Sequence, residues 1–171
     1  RYYRLIGEVD RLLSAYQLGE AGRQLYDFLW GEYCDWYIEM TKVRLKGSDA
    51  RTAAQARRAL VTVLDGCLKM LHPYMPFVTE AIWQYLPHRG EALIVAPWPV
   101  AGPLDEASER QMGEFMELVR SIRNARAEYN VEPGKRIAAI IAAGQRTPFL
   151  RGQGAVLEFL ARIEESRLQI V

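Results

Sequence analysis

The segment HPYMPFVTEAIWQ, residues 72–84, decides how the chain folds, because it places two prolines between two amphipathic stretches. The residue before a proline is disfavoured in the α conformation, so Pro73 predicts that a preceding helix ends near His72. Pro76 fits the first turn of a new helix, where its missing N–H costs nothing. The segment therefore predicts a long helix that stops and is followed at once by a short helix, which Pro87 ends.

Upstream of this break, apolar residues recur at helical spacing over residues 2–17, about 21–46 and about 50–71, with Tyr16 closing the first stripe. The Gly-Ser-Asp sequence at 47–49 supplies a helix-ending glycine followed by two side chains that can cap the next helix. Two long helices joined by such a short turn predict an antiparallel helical hairpin.

Residues 88–104 interrupt the helical pattern. Prolines and glycines surround Trp98, and only the run 93–95 resembles a short strand, so we expect an ordered, irregular connection. Asp105 then offers an N-cap for a further helix that reaches about Tyr129. The predicted buried face of this helix consists of Met112, Phe115, Met116, Val119 and Ile122.

The spacing of the apolar residues changes after Pro133-Gly134. Residues 137–143 form a continuous apolar run that predicts a buried strand, residues 155–163 resemble a short helix, and residues 167–171 alternate like a second strand. The fold class is therefore mainly α. We predict a helical bundle over residues 1–132 and a small, truncated α/β subdomain over residues 133–171.

Composition limits the classes of function. Half of the 171 residues are hydrophobic, so the chain can bury a sizeable core. No apolar run approaches the roughly 20 residues that cross a bilayer, and we expect no membrane partner. Cys34 and Cys67 lack the paired spacing of zinc or redox sites and indicate core thiols of a cytoplasmic protein. Because the formal net charge is only +1, any affinity for nucleic acid must come from local clusters.

The sequence lacks recognisable catalytic machinery. Its two histidines, His72 and His88, have no neighbouring Ser, Cys or carboxylate at the spacing of a catalytic triad. The Gly134-Lys135 pair is not a phosphate-binding loop, because no glycine stands five residues before Gly134. We expect no catalytic residue, no metal site and no cofactor within this segment.

The strongest electrostatic feature is an excess of five positive charges between residues 42 and 58. The charged residues there are Lys42, Arg44, Lys46, Asp49, Arg51, Arg57 and Arg58. Two interpretations of residues 42–46 stay open at this point. They either complement the negative end of the second helix or steer RNA phosphates towards one end of the hairpin.

Four aromatic residues crowd the second helix, namely Trp30, Tyr33, Trp36 and Tyr37. Exposed aromatic rings could stack on unpaired RNA bases. Core packing is the favoured interpretation, because aromatic side chains bury large areas in helical bundles.

Arg123 and Arg126 continue the helical stripe that begins with Met112, Met116 and Val119. This face of the helix therefore changes from apolar to cationic along its length. The two arginines either contact RNA or serve the structure, by pairing with carboxylates such as Glu128 and by favouring the helix C-terminus.

Several segments resemble one family. Residues 72–84 closely resemble a helix-breaking segment of the anticodon-binding domains of class I aminoacyl-tRNA synthetases for valine, isoleucine and leucine. Within that group, WGEYCDWYIE at 30–39 with Lys42, and IRNARAE at 122–128 followed by VEPGK at 131–135, look valine-type. Leu-Ile at 93–94 followed by Trp-Pro at 98–99 also matches.

This resemblance implies a bundle that holds the anticodon stem and loop of a tRNA for valine. A separate catalytic domain of the same polypeptide would join valine to that tRNA with ATP and Mg, and the segment alone would be non-catalytic. The RNA-binding candidates are Lys42, Arg44, Lys46, Arg123, Arg126 and Lys135. Two alternatives remain: the related isoleucine enzyme, and a helical docking module that does not contact RNA.

Overall fold

A computed structural model describes all residues from 1 to 171, and the chain divides into two compact units, residues 1–104 and 105–171. The first unit contains α1 (Tyr2–Ser14), α2 (Leu18–Phe28), a π-helical segment (Leu29–Ile38), α3 (Glu39–Lys46), α4 (Ala50–Leu71), α5 (Pro76–Trp83) and a 3₁₀ turn (Leu93–Val95). The second contains α6 (Glu106–Glu128), β1 (Ile137–Ile141), a 3₁₀ turn (Gly144–Arg146), α7 (Thr147–Gly152), α8 (Gly154–Ala161) and β2 (Ile163–Ile170). The mainly α fold class is confirmed.

The division between the units lies earlier than the sequence suggested. We predicted a boundary after residue 132, which would leave α6 in the bundle, but the structure places it between Leu104 and Asp105. The reason is that α6 packs against α8, with Phe115 and Val119 fully buried. The long helix therefore belongs to the second unit.

The core of the first unit forms where α1, α2 and the end of α4 meet. Its buried members are Leu5, Ile6, Val9, Leu25, Phe28, Tyr33, Cys67, Met70 and Leu71. Tyr16, which the sequence pattern placed on the first stripe, is exposed instead, because α1 ends at Ser14 and Tyr16 adopts a left-handed φ of 57°. None of the helices combines the length and the apolar composition needed to cross a bilayer.

The predicted hairpin is present, with α3 and α4 packed together across the 47–49 turn. Asp49 is the N-cap of α4, and its carboxylate accepts a hydrogen bond from the Arg51 N–H at 3.0 Å. Gly47 has φ −67° and ψ 160°, so the chain leaves α3 through an extended residue and not through the left-handed conformation typical of a terminal glycine.

The proline break is also where the sequence predicted it, since α4 ends at Leu71 and α5 begins at Pro76. Trp83 is buried, and its indole Nε1 donates a hydrogen bond to an Asp65 carboxylate oxygen at 2.7 Å. The run 93–95 is a 3₁₀ turn and not a strand. A residue of α5 holds this turn in place, because the Glu80 carboxylate accepts a hydrogen bond from the Leu93 N–H at 2.8 Å.

In the second unit, β1 and β2 form a two-stranded parallel sheet. Three corrections apply here. The strand β1 alternates between half-buried and exposed residues, because a two-stranded sheet covered on one face leaves its other face open. The last strand begins at Ile163, four residues before the predicted start, and the helix α7 was not predicted.

Candidate nucleic-acid interface

A cluster of basic side chains lies on α3 and on the N-terminal half of α4. We call it the hairpin cluster, and it consists of Lys42, Arg44, Lys46, Arg51, Arg57 and Arg58. All are exposed except Lys42, which is half-buried and ion-paired with Glu39 on the preceding turn. At about 1.5 Å per helical residue, each helix spreads its part of the cluster over roughly 6–12 Å. The cluster therefore occupies α3 and the first turns of α4, on the two sides of the hairpin turn.

The only acidic residue within this stretch of sequence is occupied by helix capping. Asp49 accepts hydrogen bonds from the Thr52 hydroxyl and the Arg51 N–H. These hydrogen bonds lower the pKa of Asp49, so the capping carboxylate stays ionised at neutral pH. Because Asp49 faces its own helix end, five exposed cations remain available to a negatively charged ligand.

A favourable interaction between cations and the negative end of a helix dipole does not account for the whole hairpin cluster. Arg44 and Lys46 lie in the last turn of α3, where positive charge is favourable. Arg51, however, lies in the first turn of α4, where the helix dipole disfavours a cation and where no acidic residue is present. Arg57 and Arg58 follow too far from either end to gain from the dipole. The α4 arginines therefore favour the interpretation as a surface for phosphates.

The aromatic residues of the second helix are mostly core residues. Tyr33 and Trp36 are buried, Tyr37 is half-buried, and the Tyr33 hydroxyl donates a hydrogen bond to the Leu60 carbonyl at 3.0 Å. The favoured interpretation is confirmed for these three. Trp30 is exposed and packs beside Tyr26, with ring centroids 6.3 Å apart.

Arg126 lies in the interior of the second unit, where only 8% of it is exposed. Its guanidinium donates hydrogen bonds to three backbone carbonyls: Lys135 at 2.6 Å, Glu132 at 3.2 Å and Arg162 at 3.4 Å. A guanidinium used in this way is not free for a phosphate or a base edge. The geometry therefore favours the structural interpretation of Arg126 over RNA contact.

Arg123, one turn earlier, reaches the end of α8. Its Nε and Nη2 both donate to the Leu160 carbonyl, at 3.1 Å and 3.0 Å. A cation at this point also complements the negative end of the α8 dipole. Lys135, the last RNA-binding candidate, is exposed in the turn before β1, and its backbone carbonyl is one of the acceptors of Arg126.

Replacing Arg126 with alanine is expected to destabilise the second unit by about 2–4 kcal/mol, because three backbone carbonyls lose a charged donor that is itself buried. Hydrogen exchange of the backbone amides of α8 and β1 measures this loss. Arg126→Lys should recover only part of it, since one ammonium group cannot reach all three carbonyls. Weaker RNA binding with unchanged exchange rates would contradict the structural role.

Comparison with known proteins gives the family. Residues 1–141 match the family described as the anticodon-binding domain of tRNA ligase. The chain belongs to this family of anticodon-binding domains. It is 44% identical over 170 residues to a valine–tRNA ligase of Thermosynechococcus vestitus, covering 96% of this chain and 18% of the relative.

Other relatives agree. A valine–tRNA ligase of Geobacillus stearothermophilus is 46% identical over 143 residues, covering 82% of this chain and 16% of the relative. The "Valine--tRNA ligase, chloroplastic/mitochondrial 2" of Arabidopsis thaliana is 43% identical over 162 residues, covering 91% of this chain and 17% of the relative. This anticodon-binding domain thus spans less than a fifth of the length of these relatives, and its valine-type resemblance is confirmed.

Within the anticodon-binding domain, the sequence-based candidates omit Arg51, Arg57 and Arg58. These arginines are visible in the charge count, and the hairpin packs the helix that carries them against α3. The signal that could have identified them is the run of cations in the N-terminal half of a helix whose first turn lacks an acid. No group of three or more His, Cys, Asp or Glu side chains is arranged to hold a metal ion.

Proposed function

We propose that this domain binds the anticodon stem and loop of a tRNA for valine. In this proposal it positions that tRNA for a ligase that joins valine to it, with ATP and Mg bound in a separate catalytic domain of the same polypeptide. The hairpin cluster is the observation that carries the proposal, and the names of the relatives support the choice of valine. A cytoplasmic location belongs to the same proposal and is supported by the two free cysteines.

The hairpin cluster suits the sugar–phosphate backbone. Lysine and arginine side chains bind phosphates with little regard to base identity, and binding releases the counterions of the nucleic acid. Lys42, Arg44 and Lys46 are the proposed contacts on α3, with the three arginines of α4 beside them. Lys135 stays a proposed contact in the second unit. Arg123 and Arg126 are weaker candidates, because backbone carbonyls already occupy their guanidinium groups.

Phosphate contacts do not distinguish one anticodon from another. Discrimination requires stacking on unpaired bases or hydrogen bonds to their edges. We therefore propose that the hairpin cluster supplies general affinity for tRNA and fixes the position of its backbone on the domain. Other side chains of the ligase contribute to the choice of anticodon.

Fluorescence-detected binding of the 171-residue chain to a panel of purified tRNAs tests this proposal. We expect binding that weakens steeply as salt is raised, with the tRNA for valine bound more tightly than those for isoleucine and leucine. Preference for the isoleucine tRNA would favour the related isoleucine enzyme. Absence of binding even at low salt would favour a docking module that does not contact RNA.

A further inference from the structure

The short helix α5 is apolar on both of its faces. Thr79 and Trp83 are buried towards the core. Phe77, Val78, Ala81 and Ile82 are exposed on the opposite side, and Tyr85 in the following turn continues the same surface. At about 100° per residue these five positions cover roughly 140° of the helix circumference. A helix that packs one face on a core and meets water with the other normally carries polar residues outside, so α5 has the composition of a helix covered on both sides.

The outward face of α5, defined by these five residues, is a continuous apolar surface. Phe77 is 89% exposed and Tyr85 is 91% exposed. Ile94 and Val95, in the 3₁₀ turn that contacts α5, are also largely exposed. Single exposed apolar residues are common, whereas a contiguous group of them marks an interaction surface.

The charges around this surface argue against RNA as its occupant. Residues 76–86 contain no lysine or arginine. The single charged group on α5 is Glu80, whose carboxylate is held by the Leu93 N–H and the Gln84 side-chain amide. A surface without cations gains nothing from RNA phosphates. An apolar protein surface is the matching partner.

The relatives indicate where that partner is found. This chain spans only 16–19% of the length of the valine–tRNA ligases that it matches, so each of those polypeptides contains about five times as much chain. A partner on the same polypeptide is present at high effective concentration, on the order of millimolar for short linkers, and needs less buried area than a separate molecule.

We propose that the outward face of α5 is a docking surface for another part of the same ligase polypeptide, outside residues 1–171. The proposal rests on the proposed function in one respect, that this domain is part of a ligase polypeptide. It does not depend on RNA binding by the hairpin cluster. In this arrangement α5 is covered on both faces, and Phe77 and Tyr85 are core residues of an interface between domains.

Thiol labelling tests the docking surface. Phe77→Cys and Tyr85→Cys are made separately in the 171-residue chain and in the full-length ligase, with Gln55→Cys, exposed on α4, as the control variant. Within residues 1–171 the native thiols give little background, because burial raises the pKa of Cys34 and raises that of Cys67 to about 12. The rate of reaction with a maleimide is measured without tRNA and at several protein concentrations.

We expect the variants at 77 and 85 to react as fast as the control in the 171-residue chain and at least tenfold more slowly than the control in the full-length ligase. Equal rates in the full-length ligase would overturn the proposal. So would protection of the 171-residue chain that grows with its concentration, which indicates a second copy. Because the measurement is made without tRNA, failure of the RNA-binding proposal leaves its outcome unchanged.

Discussion

Replacing Trp83 with alanine is expected to lower the free energy of unfolding of the first unit by about 3–5 kcal/mol. The indole is 1% exposed and lies in a core cluster with Leu68 and Leu93. It also stacks on the His88 ring, with centroids 3.7 Å apart. Truncation removes the apolar transfer energy, leaves a cavity and takes away the donor to Asp65. Denaturant unfolding followed by tryptophan fluorescence measures the effect, since all four tryptophans lie in the first unit.

Trp98 provides a matched control for this prediction. Its indole Nε1 also donates to an aspartate carboxylate, Asp10, at 2.7 Å, but the residue is 38% exposed. Trp98→Ala should therefore cost no more than about 1–1.5 kcal/mol, close to the contribution of one hydrogen bond. Similar losses for the two variants would show that the packing of Trp83 contributes little beyond its hydrogen bond.

Local patterns in the sequence predicted most of the first unit. The starts of α4 and α5 follow from Asp49, which caps a helix, and from Pro76, which fits a first turn. Asp105 caps α6 of the second unit in the same way. The π-helical segment could not be predicted in this way, because an apolar stripe is read with the α-helical period of 3.6 residues. Its buried residues, Tyr33 and Trp36, are nevertheless among the aromatics for which the sequence favoured core packing.

The roles of the α6 arginines depend on contacts that are distant in sequence. The pattern correctly showed Arg126 as a continuation of the buried stripe. Its three acceptors lie 6, 9 and 36 residues further along the chain, so they are brought together only by the fold of the second unit. The same limit applies to the hairpin cluster, since charge counting cannot show how α3 and α4 pack against each other.

Replacing Lys42, Arg44 and Lys46 together with glutamate is expected to weaken tRNA binding by the full-length ligase roughly 100-fold at about 0.1 M salt. This magnitude corresponds to three lost phosphate contacts with about 0.7 counterion released at each. The loss should be similar for every tRNA tested, because phosphates carry no sequence information. Stability should change little, since Arg44 and Lys46 are exposed and half-buried Lys42 has a single ion pair, with Glu39.

The control is a second triple variant with the same change in net charge. Arg89, Arg110 and Arg167 are exposed and lie outside the hairpin cluster. Their replacement with glutamate should reduce affinity much less than the change on α3, because salt at 0.1 M screens charges that do not contact a phosphate directly. Equal losses for the two variants would indicate an effect of total charge and not of a binding surface.

The most direct test of RNA binding by the hairpin cluster is the salt dependence of tRNA binding, measured for the wild-type ligase and for the Lys42, Arg44 and Lys46 triple variant. The logarithm of the association constant is plotted against the logarithm of the salt concentration. We predict that the slope of the triple variant is smaller in magnitude by about 2, as three lost phosphate contacts require. Two parallel lines, with equal slopes for the wild type and the variant, would contradict the assignment of these residues to the phosphate backbone.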